Sequence, residues 1–197
     1  METINSREIF IQPEAIRELE NMTELMVRSR LNILAVVLDI RPASIVETDL
    51  IHPKQIPLAK ERIRKLFDRF GLVYKENSVD WQNEPFVSLG YIVARTPEFL
   101  EKVQNAQNHQ DEMSKYHDTY GKALGIPDSA VEGFVGDKKL SQDDIKTKLT
   151  REDRAFSFFM PSADGWELEV GVIRNLATKI KEISPVLYAE ALSKVKN

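Results

Sequence analysis

Cysteine is missing from this 197-residue chain. Its absence removes disulfides, zinc–thiolate sites, iron–sulfur clusters and cysteine nucleophiles at once. Long apolar runs are missing too: the longest, 33–38, is far shorter than the roughly 20 residues a membrane-spanning helix requires. Residues 1–10 carry Glu2, Arg7 and Glu8 and no apolar stretch of signal-peptide length. Cytoplasmic residence, with no membrane partner, is the expectation that remains.

A dominant charge is lacking as well. The net charge of −4 comes from 27 basic and 31 acidic residues spread evenly over both halves, so the basic footprint of a nucleic-acid-binding chain is absent. Residues 54–75 are a local exception, with seven basic residues against Glu61 and Asp68. Phe67 and Phe70 fall on the apolar side of that helix, so its basic side reads as an ordinary solvated face. Nucleic acid is therefore not an expected partner. Arg95, Arg151, Arg154 and Arg174 can hold an anion only if the fold gathers them, and their spacing does not show that.

The phosphate loop Gly-x-x-x-x-Gly-Lys, Gly-x-Gly-x-x-Gly, Gly-x-Ser-x-Gly, His-Glu-x-x-His and an EF-hand loop are all missing. With His52, His109 and His117 as the only histidines, a metal centre would have to recruit Asp49, Asp111 or Asp118 from separate elements. Neither a metal nor a cofactor is expected.

What the sequence does contain is periodic apolar pattern. Pro13 suits the first position of a helix reaching to about residue 30, because its missing N–H would be unpaired there anyway. Residues 32–40, rich in Val, Ile and Leu, read as a central strand buried on both faces, broken by Arg41 and Pro42, with 44–48 as a second short strand. In 57–70, Ala59, Ile63, Leu66, Phe67 and Phe70 share an arc of about 100° and predict an amphipathic helix, closed by Gly71. Residues 72–77 and 86–95 read as strands joined across Asp80, Asn83 and Pro85, the second apolar on both faces and so interior.

Residues 154–160 supply one more predicted strand. The Lys- and Asp-rich stretch 136–152 is a candidate mobile connection in which Ser141 can cap a short helix. Trp166, Val170, Ile173, Leu176, Ala177 and Ile180 define one side of a helix over 165–183, and Ser184 with Pro185 starts a closing helix. That hairpin packs on the sheet or offers a homodimer contact.

The segment 96–134 holds the only candidate chemistry. Thr96, Pro97 and Glu98 form a well-specified helix start. On a helical wheel Phe99, Val103, Ala106, Gln110, Met113, His117, Tyr120 and Leu124 share one stripe, so Gln110 and His117 face inward. His109 and His117 lie about 80° and about 12 Å apart on a straight helix, too far to share a metal. Tyr120 is one turn beyond His117 and forms a candidate proton-transfer pair with it. Gly125 and Pro127 stop the helix, and a restart over 128–134 can swing Asp128 or Glu132 toward His117. A carboxylate there would fix the imidazole tautomer and raise its proton affinity. The competing reading is a histidine hydrogen-bonded inside the core.

The elements do not alternate as a parallel sheet requires. The prediction is a single α+β domain over 1–197: a mainly antiparallel sheet of four to five strands with packed helices, one long helix about 97–124, and a C-terminal helical hairpin. Functionally the sequence points to a binding or regulatory module for a small molecule or protein, with Gln110, Tyr116 and His117 at the ligand. The alternative is a metal-independent enzyme with His117 as acid or base, supported by Tyr120, Asp128 and Glu132.

Overall fold

The structure, a computed structural model, describes residues 11–77, 86–108 and 112–195. Among these, ten α-helices surround one three-stranded antiparallel sheet. The strands are β1 (Ala43–Glu47), β2 (Val73–Glu76) and β3 (Gly90–Ala94), in the order β1-β3-β2. Register pairs Ile45 with Ile92 on one side of β3 and Lys75 with Ile92 on the other. Every residue of β3 is buried, which is the fate expected of the strand that is apolar on both faces.

The two faces of β3 feed two cores. Tyr91 and Val93 join the larger core, with Val46 of β1, while Ile92 and Ala94 join a smaller one with Ala43. On the larger side lie α1 (Pro13–Glu20), α2 (Val27–Val37) and α3 (Ile56–Arg69). Behind them pack the C-terminal helices α9 (Trp166–Ile183) and α10 (Pro185–Lys194). On the smaller side lie α4 (Pro97–Gln107) and α5 (Met113–Ala123), supplying Val103, Phe99 and Tyr120.

The predicted central strand at 32–40 is a helix. In α2 Leu31, Ile33, Leu34, Ala35, Val36 and Val37 are all buried, because the helix lies between the sheet and α9/α10 and has almost no solvent side. A helix covered all round loses its 3.6-residue signature, so a continuous apolar run is what remains to be read. Its buried Ser29 and half-buried Asn32 work on the sheet edge: Ser29 Oγ accepts the Glu47 N–H at 2.8 Å and Asn32 donates to the Ile45 carbonyl at 2.9 Å. An outer strand edge needs such cover. The helix expected from Pro13 to about residue 30 is correspondingly split into α1 and the start of α2.

The predicted strand at 154–160 is not formed, and the sheet has three strands rather than four to five. Residues Arg151–Phe156 form α8 instead, nucleated by a capping box in which Thr150 and Asp153 exchange hydrogen bonds of 3.1 and 3.0 Å. The candidate mobile connection contains α7 (Gln142–Lys148), whose first turn is capped by Ser141, and Leu140 and Leu149 anchor its two ends in the interior. The single long helix about 97–124 is two helices, α4 and α5, packed on one another. Asn105 and Asn108 near the end of α4 favour local side-chain bonding over helix continuation. The polar connection through Asp80, Asn83 and Pro85 lies outside the described residues.

Among the described residues no helix is long and apolar enough to cross a membrane. The basic face of α3 is neutralised in place: Lys60 and Arg64 pair with Glu76, Arg62 with Glu24, Lys65 with Glu61 and Arg69 with Glu18.

Candidate functional site

The corner after α5 forms as its residues dictate. Gly125 adopts φ +72°, a left-handed conformation that L side chains resist. A Cβ there would also stand 2.4 Å from Pro42 Cδ. Pro127 then caps α6 (Asp128–Val135). The two helices come close at Gly121, where a Cβ would lie 2.8 Å from Val131 Cγ2. This pinch splays α5 and α6 around a cavity of about 270 Å³.

Leu124, Ile126, Ala130, Val131, Phe159 and Met160 form most of its wall, and His117 and Tyr120 are its polar side chains. His117 is half-buried. Its ring meets Phe134 edge-on at 5.0 Å and Tyr116 at 5.3 Å, and Tyr116 stacks on Tyr120 at 5.0 Å. Its half exposure leaves the imidazole open to solvent and to a molecule in the cavity. Burial pushes the Tyr120 phenol up to about 12, reinforced by Tyr116 and opposed by the Gln107 amide. At neutral pH it is a protonated donor and acceptor, not a base.

The sequence-predicted group is brought together only in part. His117, Tyr116 and Tyr120 form one aromatic cluster at the cavity. Asp128 and Glu132 are exposed, where both act on Lys122, and neither hydrogen-bonds the imidazole. Met113, expected inward, is 61% exposed at the start of α5. Gln110 and His109 lie outside the described residues. Among the described residues no three His, Asp or Glu side chains converge as a metal would require.

One residue that the sequence pattern offers merely as the break after the predicted strand 32–40 is buried. Arg41 is 4% exposed; its Nε donates to the Leu124 carbonyl at 3.0 Å, and its guanidinium covers the Phe158 ring at 4.7 Å. Among the described residues no carboxylate pairs with it, and burial, followed by repulsion from Arg28, lowers its pKa to about 9. Tyr120 lies close enough to oppose that shift, so Arg41 stands behind the cavity wall. Pattern reading gives no hint that an arginine is interior, because charged residues are almost never fully buried.

Comparison with protein-family models, with curated proteins and with solved structures returns no match for this chain. The functional reading therefore rests on the site.

Proposed function

We propose that this chain is a small-ligand-binding module whose ligand enters the cavity between α5 and α6. The carrying observation is the cavity itself: about 270 Å³, walled by aliphatic and aromatic side chains, with His117 and Tyr120 as its two polar groups. Binding sites have that composition, an apolar enclosure with a few polar groups that orient the guest. Its volume, near the lower end of the usual range of roughly 300–1,000 Å³, suits a one- or two-ring apolar molecule. Tyr120 offers a hydroxyl hydrogen bond, and the His117 imidazole offers a donor and an acceptor.

The acid–base alternative has less behind it. General acid–base chemistry wants a partner that fixes the imidazole tautomer, and Asp128 and Glu132 stand in solvent. A binding role needs only the wall and the polar pair.

Calorimetric titration with indole tests the proposal. One-to-one saturable binding is expected, and Ala130→Leu, which places a larger side chain on the cavity wall, weakens it by at least about tenfold, or 1.4 kcal/mol. Heat without saturation, or equal affinity in the filled variant with its fold intact, refutes it.

A further inference from the structure

The arginines of this fold divide sharply. Among the described residues, Arg17, Arg30, Arg62, Arg64, Arg69, Arg95 and Arg174 each pair with a carboxylate, and Arg151 donates to the Leu192 carbonyl. Three others, Arg28, Arg41 and Arg154, likewise have no carboxylate partner among the described residues, Arg41 donating instead to the Leu124 carbonyl, and they come together in space. Arg28 and Arg154 both line a cleft of about 360 Å³ where α2, the end of α8 and α10 meet. Arg41 stands behind that wall, its Nη1 3.5 Å from Asn32 Oδ1 and its guanidinium on Phe158, both lining residues.

Arg154 is the most telling of the three. The residue is half-buried, and its Nε is buried with no hydrogen-bond partner among the described residues. Leaving a charged donor unsatisfied is costly, and a water or a bound ligand can complete it. Arg28, an exposed residue, is near enough to Arg41 to repel it, so this corner carries an excess of positive charge in a chain that is acidic overall. Around the cleft mouth Lys194 adds a further cation and Asp49 the one carboxylate, both exposed.

Apart from Asn32 and Ser157 the rest of the lining is apolar, with Leu31, Phe156, Leu176 and Ala191 among it. Arg28, Arg154 and Ser157 also line an adjoining cavity of about 410 Å³. The guanidinium pair therefore sits where two cavities meet. A guanidinium fork matches the paired oxygens of a carboxylate or phosphate, and the apolar wall would cover the remainder of such a molecule.

We propose that the cleft between α2, α8 and α10 binds an organic anion, its oxyanion head held by Arg28 and Arg154 beside Ser157 and its apolar body against Leu31, Phe156 and Leu176. This site is separate from the His117 cavity and does not depend on it. The segment 154–161 walls both, since Phe159 and Met160 line the His117 cavity and the cavity adjoining the arginine pair.

The test titrates the full chain by calorimetry at low salt with octanoate, octyl phosphate and inorganic phosphate. At least one of the two amphiphiles binds one-to-one below millimolar, and the tighter of the two identifies the head group. Arg154→Met and Arg28→Met each weaken that binding about 10- to 100-fold, the loss expected for a charge-assisted hydrogen bond, while the remote Arg17→Met leaves it unchanged. Thermal unfolding without ligand separates a binding role from a structural one, since removing an unsatisfied buried donor leaves the melting temperature unchanged or raises it. No saturable binding of either amphiphile, or affinity unaltered in Arg154→Met, overturns the proposal. So does inorganic phosphate binding as tightly as octyl phosphate, or an unliganded Arg154→Met that melts more than about 5 °C lower.

Discussion

Replacing Gly121 by alanine should destabilise this protein, although glycine to alanine inside a helix ordinarily stabilises it by about 1 kcal/mol. The new Cβ would stand 2.8 Å from Val131 Cγ2 and 3.4 Å from Cγ1. Valine on a helix is held in essentially one rotamer and cannot swing its methyl away, so the overpacking cost of about 1–3 kcal/mol applies near its upper end. The net loss is about 1–2 kcal/mol. Val131→Ala alone costs about 2 kcal/mol for two buried methyl groups. In that background the nearest remaining Val131 atom, Cβ, is 3.7 Å from the new methyl, and the same glycine substitution then stabilises by about 1 kcal/mol. The coupling energy of the double-mutant cycle is therefore about 2–3 kcal/mol, read from urea midpoints at constant slope. A Gly121→Ala protein more stable than wild type, or a cycle with no coupling, would mean that α5 and α6 do not pinch at this point, and the cavity their splay creates would lose its basis.

Two further outcomes follow from buried polar groups. Tyr91 is fully buried with a hydroxyl that finds no partner among the described residues, and burial, then Glu76, lifts its pKa to about 12. Tyr91→Phe should be neutral or stabilising by about 1 kcal/mol, raising the melting temperature by about 2–4 °C; a clear drop would show that the hydroxyl is satisfied. The unfolded tyrosine ionises near 10 and the folded one near 12, so the folded state holds the extra proton in that window and stability falls as pH rises through it, less steeply in the phenylalanine variant. Asp153 is the opposite case: against burial that would raise it, Arg174 at 2.9 and 3.0 Å and the Thr150 cap hold its carboxyl below the ordinary 3.8. Its contribution is complete above 3.8 and is lost as pH falls below it. Asp153→Ala should cost about 2–4 kcal/mol at pH 7, and acid titration of both proteins should show that difference shrinking; a constant difference would contradict the assignment.

The amphipathic helices were legible because they have a wet side. In α3 the stripe Ala59, Ile63, Leu66 and Phe67 is buried, and the same holds for Val170, Ile173, Leu176 and Ile180 of α9. The corner at Gly125 and Pro127 was legible for another reason, since a positive φ and a missing N–H act locally. What failed to show was enclosure. The run at 33–38 looks the same whether two sheet faces or a ring of helices bury it, and only tertiary packing makes it α2. The stretch 154–160 reads as a strand, whereas Thr150 three residues before Asp153 marks a helix start. His117 and Tyr120, one helical turn apart in sequence, both reach the wall of the cavity. Of the arginines without a carboxylate partner, Arg154 stands among the four that the sequence offers as anion holders, but Arg28 and Arg41 do not, because charge partners are a property of the fold.

The central claim, a guest held between α5 and α6, is tested most directly by following the His117 imidazole resonances in an NMR titration with indole. Saturable shifts at His117, accompanied by the methyl groups of Leu124, Val131 and Met160 that share its cavity, are the predicted result. Resonances of His117 that stay fixed while indole shifts residues elsewhere, or no shifts at all, would contradict it.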